Sequence, residues 1–452
     1  MDFVKGRVLR PGDEDFDAVH RPWNLAGQDV TAVVAAADVD DVAALVRYAG
    51  ENGLTVATQA GGHGASGNAG GAILLRLDRL DELRIDPVAA TARVGAGVRW
   101  GAVQEAAAAH GLTGLAGSSP IVSVTGYTLG GGLSWFGRKY GWAADSVTAF
   151  EVVTTDGDHV RVTDGDLFWA LRGGGGDYAI VTAIEFGLHP APELYGGRML
   201  WPLSKARQIF PAYAEITTAA PGALTLWLGV LNFPGMDPLV TVDVTYLGPA
   251  EDAARLLRGL PDPIGDSRRV LTPAELGEIT ADPVDPSASA SRSLLLTSFD
   301  EVEQALLGGS GAATAEAAAG ETAGSEAGAG ETAGSEAGAG EAAKARLGPV
   351  FGVQLRHLGG ALAGPSATPF GPVTEPYYLY ALGAPGAATY AGLDELTARL
   401  GTSVSHRKPY FALSPSDSAA GAFDPDTLER LRAVKRRHDP RDVLRANYPV
   451  GG

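Results

Sequence analysis

The chain has 452 residues, no cysteine and a formal net charge of −18. Its length is enough for two domains, and the lack of cysteine excludes disulfides, thiolate metal sites and cysteinyl cofactor links. The acidic balance disfavours phosphate backbones and anionic lipid, no apolar run approaches the roughly 20 residues of a bilayer span, and the first residues carry no apolar signal segment. We therefore expect a cytoplasmic protein that binds neither nucleic acid nor a membrane.

Short apolar runs alternate with helical stretches over the first 190 residues. The pattern predicts a strand at 31–35, a helix at 38–52, strands at 54–58 and 91–95, a helix at 100–110 and a hairpin at 149–163. Asp38 is expected to cap the first helix, because its carboxylate accepts hydrogen bonds from free helix N–H groups. Gly53 is expected to end that helix, because glycine tolerates the left-handed conformation.

Longer alternating strands follow between about residues 195 and 425. They are predicted at 224–231, 239–246, 350–357 and 377–382, with helices between them. This pattern is typical of an antiparallel sheet with helices on one side. A charged helix is expected at 426–437, so the chain as a whole fits an α/β or α+β protein.

One segment differs from the rest in composition. Residues 321–330 and 331–340 are the same decapeptide, and glutamate recurs every five residues from 316 to 341. That period matches neither a helix nor a strand, and nothing apolar larger than alanine is available to bury. We therefore expect residues 308–343 to form a disordered surface insertion.

A glycine-dense loop with one histidine follows the strand predicted at 54–58. It reads Gln59-Ala60-Gly61-Gly62-His63-Gly64-Ala65-Ser66-Gly67. Glycines let the backbone approach a ligand closely, and successive main-chain N–H groups can converge on an anion. His63 is the only side chain of the loop that can react. The loop suits a large phosphorylated cofactor held by backbone and one nucleophile, and an ordinary turn with a surface histidine is the alternative.

Two further glycine-rich segments lie at 117–132 and 171–182. Because glycine costs conformational entropy, three such loops indicate backbone that lies against something flat or charged. Two familiar nucleotide motifs do not fit. The glycines at 95, 97 and 101 have one residue too many for a dinucleotide fingerprint, and segment 132–139 lacks the residue order of a phosphate-binding P-loop. No cluster has metal-ligand spacing, so no metal is expected.

The segments 56–67, 117–132, 137–145, 167–182 and 439–447 resemble the FAD-linked oxidases of the vanillyl-alcohol oxidase/p-cresol methylhydroxylase fold, in the berberine-bridge-enzyme-like branch. The likeness covers nearly the whole chain apart from the insertion. It implies a two-domain α+β fold. The implied units are an FAD-binding domain at 1–192, a substrate domain of antiparallel sheet covered by helices at 193–425, and a C-terminal segment at 426–452 that returns to the FAD-binding domain.

The resemblance also implies how FAD is held. The loop Gln59–Ser66 would hold the pyrophosphate, and His63 would bond the 8α carbon of the flavin. Relatives with a second covalent link use a cysteine in the 117–126 region, so any link here is through His63 alone. Gln59 stands where many relatives carry arginine, so the phosphate charge is compensated less directly.

The remaining contacts implied for FAD come from later segments. Residues 117–132 and 137–140 would line the ribityl chain and the isoalloxazine, Val181 would meet the adenine end, and Asn447 would meet the pyrimidine edge. The full set of expected FAD-binding residues is Gln59, Ala60, Gly61, Gly62, His63, Gly64, Ala65, Ser66, Gly117, Ser118, Val124, Gly126, Tyr127, Gly130, Gly131, Gly132, Gly137, Tyr140, Val181 and Asn447.

Tyr410 is the candidate catalytic base. Many relatives place a substrate-deprotonating tyrosine in a Tyr-x-Asn pattern, and Tyr410 is the nearest equivalent, without the asparagine. A tyrosine acts as a base only where positive charge lowers its pKa from about 10. Arg407 and Lys408 are close in sequence and could supply that charge. A half-buried core phenol is the alternative role.

Two polar residues of the strand predicted at 350–357 are candidate substrate contacts. Gln354 and Arg356 share one face of that strand, because side chains alternate along a strand. Polar groups on a covered sheet face need a reason, so we expect these two to face the substrate. Tyr378 and Tyr380 also share one face of their strand, the one predicted at 377–382, and are further candidate substrate contacts.

The resemblance implies a flavin oxidoreductase of secondary metabolism. It would move a hydride from a C–OH or C–N carbon of a small organic substrate to flavin N5, and molecular oxygen would reoxidise the flavin to give hydrogen peroxide. The alternatives are a dehydrogenase with another electron acceptor and a flavin-binding protein without turnover. The acidic balance weakly favours cationic or neutral substrates, and neither the substrate nor the oligomeric state follows from the sequence.

Overall fold

The computed structural model describes residues 1–191, 193–308 and 346–451. The insertion predicted at 308–343 therefore lies, except for its first residue, outside the described residues. In the described part, the α-helices are Phe16–His20, Val39–Asn52, Trp100–Ala108, Val124–Leu129, Gly137–Tyr140, Gly165–Leu171, Ala206–Ala219, Ala250–Leu256, Gly277–Thr280, Val302–Leu307, Ala387–Leu400 and Pro425–His438.

The strands of the described residues are numbered here in chain order. They are β1 (Arg7–Leu9), β2 (Ala32–Ala35), β3 (Val56–Thr58), β4 (Ile73–Arg76), β5 (Leu83–Asp86), β6 (Thr91–Gly95), β7 (Leu112–Thr113), β8 (Val147–Val153), β9 (His159–Val162), β10 (Ile180–Gly187), β11 (His189–Pro190), β12 (Leu194–Pro202), β13 (Leu224–Leu231), β14 (Leu239–Leu247), β15 (Gly265–Asp266), β16 (Arg269–Leu271), β17 (Ala290–Leu296), β18 (Val350–His357), β19 (Tyr377–Gly383) and β20 (Leu444–Arg445). They form two five-stranded sheets, a small two-stranded sheet and one eight-stranded sheet.

The first five-stranded sheet has the order β1-β2-β4-β3-β20, in which β2, β4, β3 and β20 run parallel. Helix Val39–Asn52 packs on it through Val42, Leu45 and Val46. As expected, the helix starts where Asp38 accepts the Asp41 N–H, and it ends at a glycine with a positive φ. The C-terminal strand β20 therefore lies beside β3, the strand that leads into the glycine loop.

The second five-stranded sheet has the order β5-β6-β10-β8-β9 and is antiparallel. Its strands β8 and β9 form the hairpin predicted at 149–163. Between β6 and β8 the chain runs through helices Trp100–Ala108 and Val124–Leu129 and through the glycine-rich segment 117–132. This sheet and the first one thus carry the predicted cofactor loops on their connections.

The eight-stranded antiparallel sheet carries the candidate substrate residues. Its main path is β15-β12-β14-β13-β18-β19-β17, and β16 pairs with β12. Leu226, Leu228 and Leu355 pack on one face in a core shared with helices Ala206–Ala219 and Ala387–Leu400. Trp227 lies on the opposite face, where its ring stacks on Trp135 with 3.5 Å between the ring centroids. Helices therefore cover one face, and the N-terminal part of the chain covers the other.

The two-domain α+β architecture predicted from the sequence is confirmed. Domain boundaries at 192 and 425 stay a prediction. No helix of the described residues is both long enough and apolar enough to span a bilayer.

Candidate functional site

The glycine loop is fixed in place by the segment at residues 22–24. The main-chain N–H groups of Trp23 and Asn24 donate to the carbonyls of Gly61 and Gly62, at 3.1 and 3.2 Å. The side-chain amide of Asn24 donates to the carbonyl of Ala65 at 2.7 Å. Carbonyl groups on one side of the loop are thus used inside the chain, so the loop has a defined conformation before any ligand arrives.

Gly62→Ala is expected to destabilise the protein by about 1–3 kcal/mol and to weaken cofactor retention. Gly62 has a φ of 78°, and an added Cβ would lie 2.6 Å from the Cβ of Pro22. Gly64→Ala is the matched control, because a Cβ at Gly64 meets nothing within 4 Å. Urea unfolding and bound flavin per chain measure both effects. Equal behaviour of the two variants would show that the loop conformation does not depend on Gly62.

His63 lies in the middle of this loop with one nitrogen left free. Its ring stacks on Trp23, with 4.5 Å between ring centroids and 10° between planes. The Nε2 atom is buried and has no hydrogen-bond partner among the residues that the structure describes. Burial, with a further contribution from Arg99, lowers the pKa of His63 to about 4 although Asp282 opposes the change. The imidazole is therefore neutral at neutral pH, and its buried nitrogen is available to a ligand or an electrophile.

The second glycine-rich segment meets the first. A Cβ at Gly126 would lie 3.6 Å from the Cβ of Ala60. Ala60 and Gly61 line a narrow cleft together with Gly97, Arg99 and Ser123. The loops at 59–67, 95–101 and 117–132, far apart in sequence, therefore share one cleft.

Four buried hydroxyl groups of the second segment have no hydrogen-bond partner in the described part of the chain. They belong to Ser119, Thr125, Tyr127 and Thr128. The Tyr127 ring lies beside Gly117 and packs edge-on against Trp100, at 5.5 Å between ring centroids. Burial raises the pKa of Tyr127, and the charge of Arg356 acts in the opposite direction. Buried polar groups are normally hydrogen-bonded, so these four hydroxyls, in a segment that meets the loop of His63, fit a large polar ligand such as FAD.

The eight-stranded sheet supplies the other side of the site. Arg356 pairs in register with Trp227 on β13 and with Tyr378 on β19, and Gln354 pairs with Tyr380. The Arg356 guanidinium lies 4.0 Å from the centroid of the Trp227 ring. Since Trp227 and Tyr378 belong to the core that joins the sheet to the N-terminal part, Gln354 and Arg356 lie on the face turned toward the cleft.

Parts of the chain match known protein families and curated proteins. Residues 30–163 match the family described as FAD binding domain. Over 303 residues the chain is 33% identical to (R)-6-hydroxynicotine oxidase of Paenarthrobacter nicotinovorans, covering 62% of this chain and 64% of that protein. It is 35% identical over 197 residues to the FAD-dependent monooxygenase FUP4 of Fusarium proliferatum, covering 42% of this chain and 38% of the other. The matches thus span less than two thirds of these curated relatives.

Solved structures match over nearly the whole length. The crystal structure of 6-hydroxy-D-nicotine oxidase from Arthrobacter nicotinovorans superimposes with a TM-score of 0.80 and 25% identity, covering 99% of this chain and 98% of that one. Berberine bridge enzyme from Eschscholzia californica gives a TM-score of 0.78 and 18% identity, covering 99% and 96%. The chain therefore has the fold of the FAD-linked oxidases of the vanillyl-alcohol oxidase/p-cresol methylhydroxylase type, and its residues 30–163 match an FAD binding domain.

The C-terminal segment reaches the glycine loop. The side-chain amide of Asn447 accepts from the Ser66 N–H at 2.8 Å and donates to the Gly64 carbonyl at 2.6 Å. Both polar atoms of that amide are therefore used to position the loop. The Gln59 side chain points the other way and is hydrogen-bonded to Gln28 and to the carbonyl of His20. Direct contacts of either side chain with FAD stay a prediction.

Several other predicted cofactor residues have their contacts inside the protein. Tyr140 donates to the carbonyl of Pro190 at 2.6 Å, and its ring stacks on His189. Val181 is buried in β10, paired with β8. Gly137 packs against Leu362 of the substrate domain. Tyr140, Val181 and Gly137 therefore have packing or hydrogen-bonding roles within the protein. Their roles in binding FAD also stay predictions.

The glycines at the end of the second segment pack closely on neighbouring rings. Added Cβ atoms would lie 2.5 Å from the Phe370 ring at Gly131 and 2.8 Å from the Cβ of Ala143 at Gly132. At Gly130 the nearest contacts, at 3.6–3.7 Å, are with Tyr127 and Phe411. The close packing of neighbouring side chains therefore requires glycine at positions 131 and 132. Contacts of these two glycines with FAD stay a prediction.

Tyr410 does not have the surroundings that a catalytic base requires. It begins the short 3-10 helix Tyr410–Ala412, and its hydroxyl donates to the carbonyl of Tyr448 at 3.0 Å. Burial, and next the charge of Asp177, raise its pKa well above its usual range. Arg407 binds the carbonyls of Phe370 and Pro372 and Lys408 pairs with Asp417, so neither of these cations hydrogen-bonds to the phenol. The structure thus shows no cation activating Tyr410 and favours the alternative of a core phenol, and the role of Tyr410 as the catalytic base stays a prediction.

Tyr410→Phe is accordingly expected to change kcat by less than about threefold. The ring and its packing remain, and one hydrogen bond is lost, which lowers the free energy of unfolding by about 1 kcal/mol. Steady-state kinetics and urea unfolding measure the two quantities. A loss of activity by a factor of about 100 or more, the effect of removing a general base, would restore Tyr410 as the base.

The sequence did not predict a contact between the second glycine-rich segment and the segment at 282–287. The Ser118 hydroxyl donates to the carboxylate of Asp282 at 2.6 Å, although 164 residues separate them. Beside it, the Trp23 indole donates to the carbonyl of Val284 at 3.2 Å, and the Ser287 N–H donates to the Trp23 carbonyl. The segment at 282–287 carries no recognisable motif, so no signal in the sequence would have found it.

Proposed function

We propose that this protein is an FAD-dependent oxidoreductase that acts as an oxidase on a small organic substrate, with FAD linked through its 8α carbon to His63 alone. The observation that carries the proposal is the buried, neutral and unpartnered Nε2 atom of His63 in a glycine loop beside the cleft. The FAD-binding-domain match over residues 30–163 supports the cofactor.

Different residues near the cleft would hold different parts of the cofactor. The loop at 59–66 offers its backbone to the pyrophosphate, because its geometry is already set by Trp23, Asn24 and Asn447. Trp23 fixes the plane of the His63 ring by stacking. The four hydroxyls of the second segment that have no partner among the described residues would give further hydrogen bonds to the cofactor.

Bound FAD would supply the redox step, taking a hydride from a C–OH or C–N carbon and passing the electrons to oxygen to give hydrogen peroxide. The chain supplies orientation, exclusion of water and acid–base groups. Burial raises the pKa values of Tyr378 and Tyr380, and Arg356 opposes that rise for both. The Tyr378 hydroxyl also donates to the Ser293 hydroxyl at 3.0 Å. These two phenols lie on the cleft-side sheet face and, unlike Tyr410, are within reach of the charge of Arg356, so they are further candidate proton acceptors.

A dehydrogenase that uses another electron acceptor is the second candidate. Among proteins of the same fold, the structures of one grass-pollen protein, Phl p 4, include a variant named a glucose dehydrogenase and another named a glucose oxidase. The same fold thus carries both behaviours, and reaction with oxygen must be measured for each protein.

The test uses the purified full chain. We expect a yellow protein whose flavin absorbance stays with the polypeptide after acid precipitation. With a substrate found by anaerobic bleaching of that absorbance, peroxide should form at the rate of substrate loss. Bleaching without peroxide, but with reduction of an added dye, would establish the dehydrogenase. A colourless protein that cannot be reconstituted with FAD would overturn the proposal.

A further inference from the structure

Arg356 has no carboxylate partner. Among the residues that the structure describes, its guanidinium forms no ion pair within 4.0 Å, and its hydrogen bond there is from Nε to the Gln354 side-chain oxygen at 2.7 Å. Arg198, on strand β12 of the same sheet, provides the contrast. Its Nε and Nη2 atoms bind the two oxygens of Asp243 at 2.5 and 2.9 Å. A partly buried arginine on a covered sheet face normally needs such a counter-charge.

The side chain is nevertheless held in one orientation. Its guanidinium lies 4.0 Å from the Trp227 ring centroid and 5.6 Å from that of Tyr378, and Gln354 holds Nε. The two Nη atoms are left without a hydrogen bond in the described residues. A planar guanidinium that is stacked on an aromatic face and held at Nε presents its remaining donors as a fork. That fork matches two oxygens of one anionic group.

The neighbouring carboxylates are already engaged. Asp243 is bound by Arg198, and Asp282 accepts from Ser118. The Trp227 ring that stacks with the guanidinium also stacks on Trp135 of the N-terminal part, so Arg356 lies on the sheet face turned toward the second glycine-rich segment. Burial raises the pKa of Tyr127 in that segment, and the charge of Arg356 opposes the rise. The unpaired cation therefore faces the space between the sheet and the predicted flavin loops.

From this geometry we infer that Arg356 binds a carboxylate on the substrate and so selects acidic substrates; the inference rests on the proposed oxidase function. Gln354 acts as the positioning residue that holds the guanidinium. The carboxylate would place the oxidised carbon at a fixed distance along the sheet face. Selection by this local cation opposes the weak preference for cationic or neutral molecules expected from the overall charge.

The experiment compares two probes that differ in charge but not in shape. The holoenzyme is titrated with benzoate and with benzamide, and the change in flavin absorbance gives each dissociation constant. We expect benzoate to bind at least about 10-fold more tightly than benzamide, because a charge-assisted bidentate hydrogen bond is lost with the amide. In Arg356→Met the ratio should fall to about one. Arg161→Gln, which removes an exposed arginine paired with Glu185, should keep the wild-type ratio.

The outcomes separate the inference from the proposed function. A colourless protein that cannot be reconstituted with FAD would contradict both the proposed oxidase function and the role of Arg356. A yellow protein that binds the probes equally, binds neither, or keeps its preference in Arg356→Met defeats the inference alone. A lower flavin reduction potential in Arg356→Met with an unchanged ratio would assign the arginine to the cofactor and also overturn the inference. Loss of the preference in Arg356→Lys as well would add that the planar fork, and not the charge alone, selects the carboxylate.

Discussion

A His63→Ala variant is expected to release all of its flavin when the polypeptide is precipitated with acid, whereas the parent protein keeps its colour. His63 is the only reactive side chain of the loop, and the chain contains no cysteine that could form another link. The backbone contacts of the loop to Trp23 and Asn24 do not involve the imidazole, so the variant should still bind dissociable FAD. Flavin absorbance of pellet and supernatant, with the intact mass of the chain, measures the result.

His189→Ala is the matched control for this prediction. His189 is also a histidine of the N-terminal part whose pKa burial lowers to about 4, but it lies outside the loop. There its ring nitrogen is hydrogen-bonded to the Ser146 hydroxyl at 2.9 Å. The control should lose some stability and retain the bound colour. A yellow pellet from His63→Ala would exclude His63 as the attachment point, and a colourless pellet from the unchanged protein would exclude a covalent link altogether.

Local sequence patterns predicted most of the fold. The strands β13 and β18 occur within the limits expected from alternation, and the helix after Asp38 begins and ends where its capping residues predict. These features depend on neighbours within a few residues, which a sequence displays directly. The pairing of β20 with β3 joins residues far apart in sequence and was not predicted, because the resemblance to a known family implied only that the C-terminal segment returns to the FAD-binding domain.

The candidate site was predicted less completely, for a physical reason. The glycine loop and its histidine were found because glycine density is a local signal of close backbone approach. Tyr410 was assigned from sequence neighbours, and the fold turns the cations of Arg407 and Lys408 to other partners. Asp282 was missed because its meaning depends on Ser118, a contact that exists only after two domains have come together. Which charged and polar groups pair with each other depends on the tertiary structure, so a sequence does not display these pairs directly.

Lys435→Met is expected to lower the free energy of unfolding by about 3–5 kcal/mol. The buried Lys435 ammonium lies 2.7 Å from a carboxylate oxygen of Asp439 and 3.3 Å from one of Asp177, and it donates to the carbonyl of Leu444. The two carboxylates are almost fully buried, at 1% and 0% exposure of their side chains. Without the ammonium they keep their desolvation cost and lose their counter-charge. Urea unfolding followed by tryptophan fluorescence measures the change.

The same substitution should also loosen the cofactor loop, because Lys435 anchors the segment that contains β20 and Asn447. Asp439 holds the N–H groups of Val443 and Leu444 at 2.8 Å. Asn447, a few residues on, binds the loop at Ser66. Arg436→Met is the control, since Arg436 forms an exposed pair with Glu429 that contributes less than about 1 kcal/mol. If Lys435→Met unfolds at the same urea concentration as Arg436→Met, the buried cluster does not stabilise the tail. If it unfolds earlier but holds FAD equally well, the tail does not position the loop.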